Sequence, residues 1–205
     1  MMRLTPPAAT APNAGAPVAR RALSLAEVMI SLAITSMLLT AIAAAFQSST
    51  QVIEQNDRFF RATQSARVAL NQMTTEIRRS DSIVDKDTTV TQNGKTFTVK
   101  GISGNLLPVS RPPENRMANE MIRYYKYDPT TQKLLIYFQD PSGVLSAEYP
   151  IAENVQSSPF SWEMGKDYNN TDCVAHVAIG VDVQVGNNKI RIAGSAAPRR
   201  NLNYK

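Results

Sequence analysis

Two adjacent arginines, Arg20 and Arg21, stand before an apolar run with one carboxylate at its start, Glu27, and no formal charge over the 19 residues from Val28 to Phe46. As a helix that stretch is about 28 Å long at ~1.5 Å per residue, close to the ~30 Å hydrocarbon core of a bilayer. A charge inside such a segment costs a few kcal/mol near its centre and is usually functional. Glu27 lies near the end of the run, where the cost is lower, and it still calls for a partner. A secretory signal peptide has a shorter apolar region and a small-residue cleavage site, which Ala43-Ala44-Ala45 could imitate, but it does not account for Glu27. A plain signal anchor leaves Glu27 and the following helix unexplained. A core helix would need the polar face that is missing here.

The formal charge of +5 invites a nucleic-acid reading, which the placement of the charges weakens. Residues 1–22 hold Arg3, Arg20 and Arg21 and no acid, so about +2 remains without them. Basic residues before an apolar span keep that end on the cytoplasmic side. Arg78-Arg79 and Arg199-Arg200 are small basic pairs of the kind found on solvated surfaces, with no interleaved aromatics. Nucleic acid is not the expected partner.

Residues 1–22, with four prolines and no periodicity, read as a disordered leader. No proline falls between Pro17 and Pro108 and no glycine between Gly15 and Gly94, so one helix can run from about Leu23 to about Ser80. Its first half is apolar all round. In its second half Phe59, Thr63, Ala66, Leu70, Met73 and Ile77 recur at spacings of four and three, with Arg58, Arg61, Arg67, Glu76 and Arg78 on other faces, an amphipathic helix laid on a sheet. Strands are expected over 95–102, 120–128, 133–139, 144–151, 159–164, 173–185 and 189–193, with turns at Asp128–Gln132 and Gly186–Asn188. Val181, Val183 and Val185 alternate with Asp182 and Gln184, giving one buried and one wet face. Residues 103–119, with Pro108, Pro112 and Pro113, read as a long loop, and 196–205 as a loose polar tail. The fold class is α+β: a long N-terminal helix, transmembrane in its first half and amphipathic in its second, packed on a C-terminal antiparallel β-sheet domain.

Catalytic chemistry finds little support. Cys173 and His176 lie three apart in a β-like run, where alternation puts odd separations on opposite faces. There is no CxxC, phosphate loop or HExxH. The oxygen-rich Asp167–Asp172 segment could attract calcium, but it lacks the glycine turn and bidentate glutamate of a known loop, and Asn and Asp are ordinary turn residues. Asn169-Asn170-Thr171 also fits a glycosylation sequon, a short and common pattern. No enzyme, cofactor, metal or small-molecule substrate is expected.

The stretch Arg20-Arg21-Ala22-Leu23-Ser24-Leu25-Ala26-Glu27 resembles the cleavage and methylation motif of type IV prepilins and type II secretion pseudopilins. The resemblance implies a cut between Ala22 and Leu23, N-methylation of Leu23, and Glu27 at the fifth mature position as the filament-assembly residue. Ala22 stands where the family usually has glycine, and Leu23 where it usually has phenylalanine. Further on, Arg67–Arg78, Ile151–Val155, Phe160-Ser161-Trp162 and Ala197–Asn201 look like the minor pseudopilin J and minor pilin W group. The implied organisation is a leader at 1–22, a transmembrane and assembly helix at 23–51, a periplasmic pilin-like domain at 52–201 and a tail at 202–205. The implied partners are a prepilin peptidase, other minor and major pilins or pseudopilins, and the inner membrane, with the N-terminus cytoplasmic. Residues Tyr124–Tyr127 and the Pro-rich loop are the expected contact regions. The alternative is a membrane-anchored periplasmic binding protein that does not assemble.

Overall fold

The computed structural model describes residues 24–92, 94–110 and 121–199. The scissile pair Ala22 and Leu23, most of the Pro-rich stretch and the last residues lie outside that range. The chain divides into two units, Met1–Ser49 and Thr50–Lys205. With neither Gly nor Pro to break it, helix α1 spans Leu25–Arg79, as the breaker-free interval predicts. After Ser24 the residues described in the first unit belong to this helix, and every one from Ser24 to Ser49 is exposed.

In the second unit α1 buries Ala62, Thr63, Ala66, Ala69, Leu70, Met73, Glu76 and Ile77, one stripe at alternating spacings of three and four. Ten strands follow, β1 (Ser82–Ile83), β2 (Thr88–Gln92), β3 (Lys95–Val99), β4 (Leu106–Ser110), β5 (Ile122–Asp128), β6 (Lys133–Gln139), β7 (Tyr149–Ala152), β8 (Phe160–Lys166), β9 (Asp172–Val185) and β10 (Asn188–Ala196). They form a five-stranded sheet β1-β4-β5-β6-β7, a three-stranded sheet β10-β9-β8 and the ribbon β2-β3, with antiparallel pairing throughout. The helix stripe packs with the inner faces of both larger sheets, including Tyr125, Tyr127, Leu134, Val177, Ile179 and Val181. Gly194 of the three-stranded sheet lies against Leu70, and a Cβ there would sit in van der Waals contact with its methyl groups at 3.4 Å. On its other face the five-stranded sheet packs Ile122 and Tyr124 with Val99 and Phe97 of the ribbon. There Tyr124 stacks on Tyr137 with ring centroids 4.8 Å apart.

Several expectations change in three dimensions. Residues 106–110 are strand β4 inside the five-stranded sheet, despite Pro108. The Pro108 carbonyl accepts a bond from the Val84 N–H at 3.4 Å, and a strand residue points its nitrogen and carbonyl the same way. The missing N–H therefore faces the side where two-residue β1 has already ended, and the ladder to β5 survives. The expected 144–151 strand shrinks to β7, and Val144 and Leu145 are exposed. Tyr124, Tyr125 and Tyr127 are buried core residues rather than a contact surface. Glu76 is not on a wet face: it is buried and pairs with Arg123 of β5 at 3.3 Å. Asp182 is also buried, accepting the Ser157 hydroxyl at 2.8 Å. The start of the expected tail is fastened, with Ala196 and Pro198 buried and the Arg199 N–H donating to the Ser80 carbonyl at 2.9 Å.

Candidate functional site

The first turn of α1 is built by a reciprocal cap. The Ser24 N–H donates to Glu27 Oε2 at 3.0 Å and the Glu27 N–H donates to Ser24 Oγ at 3.3 Å. Both otherwise lack an intrahelical acceptor, and a Ser-x-x-Glu box satisfies them together. A carboxylate here also faces the positive end of the helix dipole. Sequence reasoning singled out Glu27 and passed over Ser24, although the serine three residues before the glutamate is the signal that identifies the pair.

Beyond the cap the helix exposes Val28, Met29, Ile30, Leu32, Ile34, Met37, Leu38, Leu39, Ile42 and Phe46. Its hydroxyls are satisfied internally: Ser31 donates to the Val28 carbonyl, Thr35 to Ser31, Ser36 to Ala33 and Thr40 to Ser36, at 2.7–2.9 Å. An apolar surround then leaves no donor of these four unmet, the condition for a segment in lipid. This helix is long and apolar enough to cross a membrane.

Elsewhere the sequence candidates separate. The alternation argument for Cys173 and His176 fails, because a register shift in the β8–β9 pairing falls between Glu163, opposite His176, and Met164, opposite Val174. The irregularity resets the faces, so Val174 and Val177 both enter the core although three apart. Burial, with the carboxylates of Asp167, Asp172 and Asp85 around it, pushes the Cys173 thiol up, the reverse of what an activated thiolate needs. In the Asp167–Asp172 loop Asp167 Oδ1 accepts the N–H groups of Asn169 and Thr171 at 2.8 and 2.9 Å, and Asp172 pairs with Lys166. Hydrogen bonding and the charge of Lys166 hold the Asp172 carboxyl below the usual range. Among the described residues no group of three or more His, Cys, Asp or Glu is placed to hold a metal ion.

An open hollow of about 590 Å³ lies between Arg58–Ser65 of α1 and Pro150–Asn154. The two arginines on its rim are already paired within the helix, Arg58 with Glu54 and Arg61 with Asp57. Comparison of the chain with family models, with curated proteins and with solved structures found no match.

Proposed function

We propose that this chain is a pilin-like subunit, processed by a prepilin peptidase between Ala22 and Leu23 and assembled with other pilins or pseudopilins into an envelope filament, as a minor, initiating component. One observation carries the reading. A single helix joins an exposed apolar segment, whose one carboxylate sits in its first turn, to a stripe buried on antiparallel sheets. The apolar half suits first a bilayer and then the packed helices of a filament. In that filament Glu27 pairs with the N-terminal amine of a neighbouring Leu23. An isolated carboxylate or ammonium is costly in apolar surroundings, so pairing removes both penalties and sets the subunit's register. Arg20 and Arg21 hold the leader on the cytoplasmic side of the inner membrane, and the sheet domain lies outside it.

Mass spectrometry of the membrane form, made together with a prepilin peptidase, tests the reading. The expected mature chain starts at Leu23 with one added methyl group. A start after Ala45 establishes a signal peptide instead and removes the basis for assembly.

The Ser24–Glu27 cap favours a second reading, a membrane-anchored periplasmic binding protein, because it gives Glu27 a local task that needs no neighbour. The two readings diverge at Glu27→Gln, as argued below.

A further inference from the structure

The described arginines of the second unit fall into two groups. Arg58, Arg61, Arg123 and Arg191 face Glu54, Asp57, Glu76 and Asp182 at 3.7, 2.7, 3.3 and 3.9 Å. Arg67, Arg78, Arg79 and Arg199 are exposed and have no ion-pair partner among the described residues. Three of these four come from two distant basic pairs that the fold brings together. The backbone bond from Arg199 N–H to the Ser80 carbonyl, 2.9 Å, sets Arg199 against the residue that follows Arg79. Burial of Ala196 and Pro198 just before Arg199 holds that position. Arg200 lies outside the described residues.

Cations in the last turn complement the partial negative charge of a helix C-terminus. That accounts for arginines at 78 and 79. It does not account for a third delivered from the far end of the domain, since the helix end carries only about half an elementary charge. We propose that Arg78, Arg79 and Arg199 form one docking surface for an acidic segment of a partner protein. Guanidinium forks bind carboxylates in two-pronged fashion, and a cluster of them selects for closely spaced acids. Nucleic acid fits less well. Residues 50–199 carry seventeen basic and sixteen acidic side chains, a net of +1, so the body offers no general attraction to a polyanion. Three guanidinium groups also fall short of the about six to ten phosphate contacts of an ordinary nucleic-acid interface. The surface does not depend on whether the chain assembles into a filament.

The test uses the full chain in a non-ionic detergent, with fluorescence anisotropy of a labelled oligoglutamate and an oligothymidylate of equal charge. Oligoglutamate is expected to bind more tightly, and Arg78→Glu and Arg199→Glu should each weaken it about tenfold by charge repulsion. Arg199→Gln, which keeps the backbone N–H, should weaken it without changing the melting temperature. Arg67→Glu, on the same helix three turns earlier, should leave binding unchanged. Absence of oligoglutamate binding, tighter binding of oligothymidylate, indifference to Arg199→Gln, or an equal loss with Arg67→Glu each overturns the proposal.

Discussion

Ser24 and Glu27 cap each other, so the carboxylate that the proposed assembly requires is already held by the backbone of its own helix. Recruitment of Glu27 by a neighbouring amine is then an exchange of one hydrogen-bonded partner for another, and the energy at stake is the difference between the two.

That exchange separates charge from cap. Gln at the third helical position closes a capping box as Glu does, so Glu27→Gln keeps the cap and loses the charge. Membrane insertion should survive and filament incorporation should fail, read by co-purification with the other subunits. Glu27→Ala should fail equally, while Ser24→Ala, which keeps the charge, should still assemble, with the helix start weakened by about 1 kcal/mol. Normal assembly of Glu27→Gln would make Glu27 a cap and nothing more.

The contact between Leu70 and Gly194 predicts how the amphipathic half of α1 is held. Leu70→Ala should lower the stability of the sheet domain by about 2–5 kcal/mol through lost burial and the cavity left behind. Leu70→Asp should be worse, because a charge enters the core without a partner. Thermal melts of the full chain in detergent decide this. An unchanged melting temperature for Leu70→Asp would show that the helix does not depend on the sheet.

Glu76 and Arg123 join the helix to β5 with side chains only 11% and 13% exposed. Glu76→Leu alone removes a buried carboxylate facing the guanidinium and should cost up to about 3–5 kcal/mol, whereas Glu76→Leu with Arg123→Leu should recover much of that loss. A double-mutant cycle of melting free energies reads the coupling. Additive losses would mean that the ion pair contributes nothing beyond its parts.

Alkaline stability should depend on Tyr137. Burial, and then the nearby Glu148 carboxylate, push its phenol up to about 12 from 10.0. The unfolded chain loses this proton first, so it binds fewer protons than the native state between those values, and stability falls as pH rises through the window. Below pH 10 the contribution is fully present. Tyr137→Phe should flatten the decline in melting temperature between pH 10 and pH 12. A decline identical to that of the parent would exclude Tyr137 as its source.

The helix was legible because its evidence is local. A breaker-free interval and a change from all-round apolarity to a stripe are both read along one stretch of chain. The strands flanking Asp128–Gln132 and Gly186-Asn187 were legible for the same reason, since turn residues lie between alternating runs. Local patterns thus carried the long helix, the α+β class, seven of the ten strands and an apolar segment with one carboxylate in its first turn, whereas β1, β2 and β4, each set by its sheet partner, were missed.

Tertiary structure decided which side chains meet. Pro108 sits in a sheet because its neighbour β1 stops early, a fact held by another strand. The irregularity opposite Glu163 and Met164 reset the faces of β9, so parity counted from Cys173 failed at Val177. Tyr124, Tyr125 and Tyr127 are all buried because the ribbon covers one face of β5 while the helix and second sheet cover the other. Glu76 reads as a wet helix residue until Arg123 arrives from forty-odd residues away. Arg199 joins Arg78 and Arg79 through one backbone bond to Ser80. Periodicity reports which face an element would bury, and partners distant in sequence decide what covers that face.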